Sequence, residues 1–327
     1  MTAPDLPEKK RTPFTWLKLL VSGALLAFLF WHINITALFG EVKRTHAGLF
    51  VLALAVTIVR YVISVVRWGV LLRAKGFVLP WWNLMRAYLV SSFYNLIFPS
   101  VLGGDVVRAV MVAKPLKSKS EAASSVIVER LLGFLSLALI AMVALLVGYS
   151  LVQDTRVRLF VLLLFVGFVA GFVVLFSRRV MGLLFSVLSV VGLKGVQKKV
   201  TGFYETFYSY KARKGALVAA LALSVLYQWV GIVVVYVLGR SIGIEVGFTY
   251  YLVFLPLIWV VMMVPISISG MGLREGAFVF FFGKVGVSRE AALLLSLLFF
   301  SHMVIMGLIG AAMQLAPDVV HPAREPE

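Results

Sequence analysis

The sequence predicts an all-α polytopic membrane protein, and two observations carry this prediction. Hydrophobic residues make up 61% of the 327 residues and charged residues only 14%, whereas a soluble domain averages about 45–50% apolar and about 25% charged residues. The apolar residues also form blocks of about 20 residues or more, the length that a helix needs to cross a bilayer. The composition therefore excludes an ordinary soluble fold.

Eight apolar stretches divide the chain. Six are predicted to be complete spans, at about 14–38, 48–72, 122–149, 157–177, 215–239 and 291–314. Two further stretches, 82–113 and 249–283, are each interrupted by proline and glycine. We therefore expect a single transmembrane domain over residues 14–314, with an N-terminal tail of residues 1–13 and a C-terminal tail of residues 315–327.

Basic residues are distributed unevenly between the two sides of the predicted membrane. With a cytoplasmic N-terminus, 19 Lys and Arg residues fall in the inner loops and tails and 7 in the outer loops, as the positive-inside rule requires. This predicts a plasma (inner) membrane protein with both termini in the cytoplasm. The net charge of +17 has the same origin, so nucleic acid is not a predicted partner. Segment 178–214, which mixes apolar residues with Lys, is predicted to lie on the inner face.

This orientation requires each interrupted stretch to return to the side that it entered. The first stretch would be a hairpin opening to the cytoplasm and the second a hairpin opening to the outside. Re-entrant backbone is tolerated only where it is buried in protein or lines a wet cavity. The alternative, in which one stretch is a proline-kinked full span, stays open.

The two interrupted stretches share a pattern at their breaks. A proline is followed five residues later by a glycine and nine residues later by an arginine, in Pro99, Gly103, Gly104 and Arg108 and in Pro265, Gly270, Gly272 and Arg274. Proline ends the incoming helix, glycine permits the turn, and the returning helix presents a positively polarised N-terminus. Two opposed re-entrant hairpins form an inverted repeat, the arrangement in which transporters hold a midplane site.

Eight charged residues are expected at membrane depth: Arg60, Arg67, Arg108, Arg130, Arg274, Asp105, Glu129 and Glu275. A charge at the bilayer centre costs about 2.5–3.5 kcal/mol on insertion scales, so each indicates a partner, a wet cavity or a ligand. The surplus of two positive charges suits an anionic phosphate, which arginine binds in a bidentate fork. We therefore predict a substrate-binding site formed by Arg60, Asn95, Asp105, Arg108, Glu129, Arg130, Arg274 and Glu275.

Each of these residues also has a structural alternative. The pairs Asp105–Arg108 and Arg274–Glu275 could hold the two hairpins together, and Arg67 could extend to the cytoplasmic interface. Polar residues beside the breaks could satisfy freed backbone groups instead of contacting a ligand: Tyr94, Asn95, Ser267 and Ser269.

Enzymatic chemistry has little support in the sequence. Ser269 and His302 would form a nucleophile and its base only within hydrogen-bond reach, and Ser267 stands where an intramembrane serine protease carries glycine. The four histidines show no metal-ligand spacing, and there is no phosphate-binding loop of the ATPase type. We therefore predict no catalytic residues, no metal and no cofactor, with a membrane-embedded transferase as the remaining enzyme alternative.

Two motifs resemble those of a known family. They are Asn95 to Pro99 (NLIFP) with Gly104 to Arg108 (GDVVR) and Ser124 to Leu132 (SSVIVERLL), and then Pro265 to Glu275 (PISISGMGLRE). Together they are similar to the flippase-like family, also called the lysylphosphatidylglycerol synthase transmembrane-region family. The resemblance spans roughly residues 15–315. It implies the membrane half of the multiple peptide resistance factors, which moves a lipid between leaflets, without the synthase domain that attaches the amino acid.

The leading hypothesis is translocation of a polar lipid, either a phospholipid (aminoacylated ones included) or a related glycolipid, between leaflets. Membrane lipids are the expected partners, with an anionic phospholipid head group bound in the polar cavity. The alternative is an accessory subunit that presents a lipid to a lipid- or glycan-modifying enzyme without transporting it.

Overall fold

The computed structural model describes residues 45–98, 103–149, 155–175, 177–190, 204–263 and 270–315, together with single residues 36, 40, 42, 43, 201 and 267. The predicted first span at 14–38 lies outside the described residues except for residue 36, and so do tail 1–13 and residues 316–327 of the C-terminal tail. Pro99, Pro265 and Ser269 also lie outside the described residues.

The described ranges contain ten α-helices. They are α1 (Ala47–Arg73), α2 (Trp81–Ile97), α3 (Gly103–Ala113), α4 (Lys119–Val147), α5 (Thr155–Leu175), α6 (Arg178–Val190), α7 (Lys214–Ser241), α8 (Phe248–Met263), α9 (Leu273–Gly283) and α10 (Arg289–Leu315). A short 3-10 helix, Ser209–Ala212, precedes α7. The predicted all-helical class is confirmed for this part of the chain.

Four of these helices, α1, α4, α7 and α10, are long and apolar enough to cross a membrane. They coincide with four of the predicted spans. The predicted span at 157–177 corresponds to α5, whose apolar portion is shorter. The total number of spans stays a prediction.

Local sequence signals set several helix ends. Ser118 caps α4, since its hydroxyl accepts the Glu121 N–H at 3.2 Å, and the Glu121 carboxylate complements the positive helix end. Just beyond the C-termini of α1 and α7, Gly76 and Gly243 adopt φ of 84° and 76°, a left-handed conformation that glycine adopts without strain.

The described helices contain an internal repeat. Helices α1 to α4 have 27, 17, 11 and 29 residues, and α7 to α10 have 28, 16, 11 and 27 residues. In each half a long helix is followed by two shorter helices that pack on each other and then by another long helix. The similarity that the sequence showed at the two breaks therefore extends over four helices on each side.

Each half of the protein packs against helices of the other half. Helices α1 and α7 form the most extensive contact between helices of the described chain. The last helix of each half packs on the helix pair of the other half, α4 on α8 and α10 on α2. Neither half is therefore a separate globular unit.

The two helix pairs pack at opposite ends of the long helices. The core around α2 and α3 includes Val65 and Trp68 from the second half of α1 and Val126 from the first half of α4. The core around α8 and α9 includes Ala53 from the start of α1 and Ile140 from the second half of α4. The pair of α2 and α3 and the pair of α8 and α9 are thus placed at opposite ends, as two opposed hairpins would be. That they re-enter from the two faces of the membrane stays a prediction.

Close packing joins α10 to α2. A Cβ atom on Gly310 would lie 1.9 Å from the Leu89 carbonyl oxygen, and one on Gly307 would lie 2.3 Å from a Leu96 methyl carbon. The Arg86 Nε donates to the Met313 carbonyl oxygen at 3.1 Å in the same interface. Small residues thus permit the backbone approach on which helix association in membranes depends.

We expect Gly310→Ala to destabilise the protein by about 1–3 kcal/mol, because the added methyl group must push α10 away from the α2 backbone. The measurement is the thermal unfolding midpoint of the purified protein in detergent. Gly171→Ala in α5 is the matched control, since a Cβ atom there meets nothing within 4 Å. A Gly310→Ala midpoint equal to or above that of the control would contradict this packing.

Candidate functional site

A cavity of about 350 Å³, lined by charged, polar and apolar side chains, lies between seven of the described helices, from both halves. Its lining comes from α1, α2, α3, α4, α7, α8 and α10. Arg60, at the midpoint of the 27-residue helix α1, is part of the wall. At 1.5 Å per residue this position is about 20 Å from either end of the helix, so the cavity is at the depth expected for the bilayer interior.

Among the residues that the structure describes, four arginines and two carboxylates line the cavity: Arg60, Arg67, Arg108, Arg130, Asp105 and Glu129. Two positive charges are therefore in excess among the cavity-lining side chains. The eight charges expected at membrane depth gave the same excess of two, because Arg274 and Glu275, which do not line the cavity, carry opposite charges.

The Glu129 side chain, which has no exposed surface, is the centre of an ion-pair network. Its Oε1 accepts from the Arg67 Nε at 2.8 Å and from the Arg67 Nη2 at 2.6 Å. The Tyr88 hydroxyl donates to the same oxygen, and the Arg108 Nη1 donates to Oε2. Helices α1, α2 and α3 thus each supply a donor to a single carboxylate on α4.

The network continues into the second half of the protein. The Arg67 Nη1 donates to the Ser224 hydroxyl oxygen on α7 at 3.2 Å, and that hydroxyl donates to the Ala220 carbonyl oxygen at 2.8 Å. Arg67 is 7% exposed, so the structure does not bear out the alternative in which its side chain extends to the cytoplasmic interface. The cause is Glu129, which offers a closer counter-charge than the membrane surface.

Asp105 connects α3 to α4. Its Oδ1 accepts from the Arg108 Nε at 3.0 Å, and its Oδ2 forms an ion pair with the Arg130 Nη1. The predicted pair of Asp105 and Arg108 is therefore present, but both members also bind residues of α4. A structural role and a place at the cavity wall are combined in the same side chains.

Arg60 differs from the other cavity arginines. Its guanidinium lies over the Tyr227 ring at 4.0 Å and beside the Trp259 ring at 5.5 Å. It forms no ion pair with any residue that the structure describes, and its buried Nε has no hydrogen-bond partner among them. Gly231 leaves room for it, since a Cβ atom there would be 3.0 Å from the Arg60 Nε. Aromatic faces stabilise this cation without neutralising it.

The helix N-termini at the two breaks are capped by the protein itself. The Asn95 Oδ1 accepts the Gly104 N–H at 2.9 Å, so Asn95 satisfies a freed backbone group while it also lines the cavity. At the second break the Gly272 N–H donates to the Glu275 Oε2 at 2.7 Å, and Gly270 and Gly272 adopt φ of 74° and 82°. These backbone groups are therefore occupied, and the side chains carry the positive field of the cavity.

Arg274 and Glu275 are separate from the cavity. Their side chains bond to each other, the Arg274 Nε also donates to the Ser296 hydroxyl oxygen on α10 at 3.2 Å, and neither residue lines the cavity. This corrects the expectation of one site containing all eight predicted residues: the structure brings six together and places these two in the core between α9 and α10. The pair forms locally because its members are adjacent in sequence and Glu275 caps its own helix.

Sequence reasoning missed the aromatic part of the site. Tyr88, Tyr227 and Trp259 all line the cavity, but in the sequence they resemble ordinary aromatic residues of apolar helices. His302 is outside the lining, and its Nδ1 lies 3.2 Å from the Thr57 hydroxyl oxygen. That hydroxyl also lies 2.9 Å from the Ala53 carbonyl oxygen, so the contact joins α10 to α1.

A comparison with known proteins identifies the family of this chain. The model of the family described as "Lysylphosphatidylglycerol synthase TM region" matches residues 15–311. The UPF0104 membrane protein PH1989 of Pyrococcus horikoshii is 22% identical over 306 residues, which cover 86% of this chain and 91% of that protein. No solved structure matches significantly.

Replacing Glu129 by Gln should destabilise the protein by about 3–5 kcal/mol, because it leaves the buried guanidinium groups of Arg67 and Arg108 without their shared counter-charge. Thermal unfolding in detergent measures the effect. Glu121→Gln on the same helix is the control: its carboxylate pairs with Lys75 at 3.1 Å and is 24% exposed, so its loss should cost about 0–1 kcal/mol. Equal midpoints for the two variants would show that the Glu129 network does not stabilise the fold.

Proposed function

Since the chain belongs to the lysylphosphatidylglycerol synthase transmembrane-region family, we propose that it translocates a polar lipid between the leaflets of a membrane. The head group enters the cavity between the two halves while the acyl chains remain in the bilayer. The chain acts as a transporter and not as an enzyme in this proposal, and the positive-inside distribution of its loops supports a plasma (inner) membrane location with both termini cytoplasmic.

One observation carries the proposal: the described wall of the cavity has two positive charges in excess. The cavity lies beside Arg60, at the midpoint of α1. Charges in a bilayer interior are costly and mark substrate pathways. A volume of about 350 Å³ is at the lower end of the range of small-molecule sites, roughly 300–1,000 Å³. A head group fits this space, whereas a complete diacyl lipid does not.

The architecture supports movement of such a head group. The side chains of Arg130 and Asp105 retain 21% and 17% exposure, so the cavity wall is not sealed. The two halves repeat the same succession of helices, and repeats of this kind are the usual basis of alternating access around a midplane site.

A second candidate is an accessory subunit that presents the lipid to a lipid- or glycan-modifying enzyme. The observation that favours it is the Glu129 network, which ties α1, α2, α3 and α4 together and joins them to α7 through Ser224. A rigid wall on one side of the cavity would hold a lipid in place without carrying it across.

Obstruction of the cavity distinguishes these candidates. Gly133 lines the cavity, and a Cβ atom there would meet only the Arg67 Nη1, at 3.9 Å. Gly133→Ala should therefore leave leaflet exchange within about twofold of the parent protein, whereas Gly133→Phe should abolish the protein-dependent exchange by filling the head-group space. The measurement is exchange of head-group-labelled phospholipids in liposomes that contain the purified protein, read with a membrane-impermeant quencher.

Size-exclusion chromatography of both variants controls for folding. Exchange by the parent protein that Gly133→Phe lacks and Gly133→Ala keeps supports translocation through this cavity. Parent protein without exchange activity for any phospholipid class would refute autonomous translocation and favour the accessory subunit. Equal exchange by both variants would show that lipid moves by another route.

A further inference from the structure

We infer that the cavity selects lipids whose head group carries a phosphate and uncharged hydroxyl groups, and that it discriminates against a head group bearing a cationic amine, as an aminoacylated lipid does. The inference depends on the proposed function only in taking the ligand of the cavity to be a lipid. It extends that proposal by specifying the charge of the lipid head group and the residue that binds its phosphate.

The Glu129 carboxylate cannot serve a lipid amine. Both of its oxygens accept from arginine, with a tyrosine hydroxyl as a further donor, and the side chain has no exposed surface. An ammonium group could reach it only by displacing Arg67 or Arg108, which would leave a buried guanidinium unpaired.

Asp105 is also paired with arginines, although its side chain keeps 17% exposure. Arg108 binds its Oδ1 through two nitrogens, at 3.0 Å and 2.9 Å, and Arg130 is ion-paired with its Oδ2. The two carboxylates that line the cavity are thus both committed to arginines. The described part of the wall would thus present an entering amine with two positive charges in excess and with no carboxylate that lacks an arginine partner, an arrangement that rejects like charge.

Arg60 is the group that receives the anion. Among the described residues its partners are the faces of Tyr227 and Trp259, so its charge is not neutralised, and it lines the cavity. A guanidinium presents a planar fork of donors that matches two phosphate oxygens. The seven acidic residues outside the described ranges all fall in tails or loops predicted from the sequence: Asp5, Glu8, Glu41, Asp154, Asp318, Glu325 and Glu327.

Neutral polar groups complete the wall. Ser64, Ser91 and Gln228 line the same space and are buried. Hydroxyl and amide groups can donate to and accept from the hydroxyls of a glycerol, polyol or sugar head group without adding charge. The chemistry of the wall therefore matches a phosphodiester with a hydroxylated head group, for which phosphatidylglycerol is a suitable probe.

Equilibrium binding tests this assignment independently of transport. The purified protein in neutral detergent is titrated with short-chain phosphatidylglycerol, lysyl-phosphatidylglycerol and phosphatidylcholine, with thermophoresis or calorimetry as the readout. We expect phosphatidylglycerol to bind at least about tenfold more tightly than the lysylated lipid, since one charged contact changes affinity by about this factor. Equal or tighter binding of the lysylated lipid would overturn the inference.

Glycerol 3-phosphate, which offers phosphate and hydroxyls without acyl chains, should bind far more weakly than phosphatidylglycerol. Equal binding would identify a soluble ligand and overturn the assignment of a lipid.

Substitutions in α1 test whether Arg60 is responsible for the preference for phosphatidylglycerol over the lysylated lipid. Arg60→Gln should reduce the tenfold preference to within about twofold, Arg60→Lys should retain an anion preference, and Arg73→Gln, at the exposed end of the same helix, should behave as the parent. An unchanged preference in a folded Arg60→Gln protein would overturn the role of Arg60. Selective binding without leaflet exchange would refute translocation and leave the inference standing, whereas exchange that favours the lysylated lipid would refute the inference and leave translocation standing.

Discussion

Burial of a single carboxylate is the constraint on which the arrangement of α1, α2, α3 and α4 depends. Glu129 has no contact with solvent, and an ionised carboxylate in such a place is stable only if donors replace the water that it has lost. Arg67, Tyr88 and Arg108 supply these donors from three helices, so all four helices must meet at one point. This arrangement also produces the excess of two positive charges at the cavity. Two arginines bind Glu129, Asp105 balances Arg130, and Arg60 has no carboxylate partner among the described residues.

The two halves of the protein share their helices but not their chemistry. In the first half the arginine after the break, Arg108, crosses to Glu129 on the following long helix. In the second half the equivalent Arg274 pairs with its neighbour Glu275 and packs over the Phe300 ring at 4.2 Å. One half therefore directs its charges into a cavity and the other closes them into its own core. A repeat in sequence spacing thus preserves the backbone plan while the functional groups diverge.

This divergence explains how far the sequence could predict the structure. The long spans were predictable because about 20 apolar residues between basic loops have few other solutions, and the charges at membrane depth were predictable because they are costly there. The grouping of those charges was only partly predictable. Spacing after a proline places Arg108 and Arg274 alike, yet which way each side chain turns depends on the nearest carboxylate in three dimensions. The aromatic contacts of Arg60 were not predictable, since Tyr227 and Trp259 belong to distant helices and resemble lipid-facing residues in sequence.

The packing of α10 on α2 has a consequence for synthesis. Ile97, the end of α2, and Arg289, the start of α10, are 192 positions apart, and chains are elongated at about 5–20 residues per second. The face of α2 that receives Gly307 and Gly310 therefore waits about 10–40 s for its partner after it has left the ribosome. During that interval Leu89 and Leu96 are without the helix that covers them in the finished protein. The packing of α2 is thus completed only when α10 arrives, and a chain that stops before α10 leaves the pair of α2 and α3 without this cover.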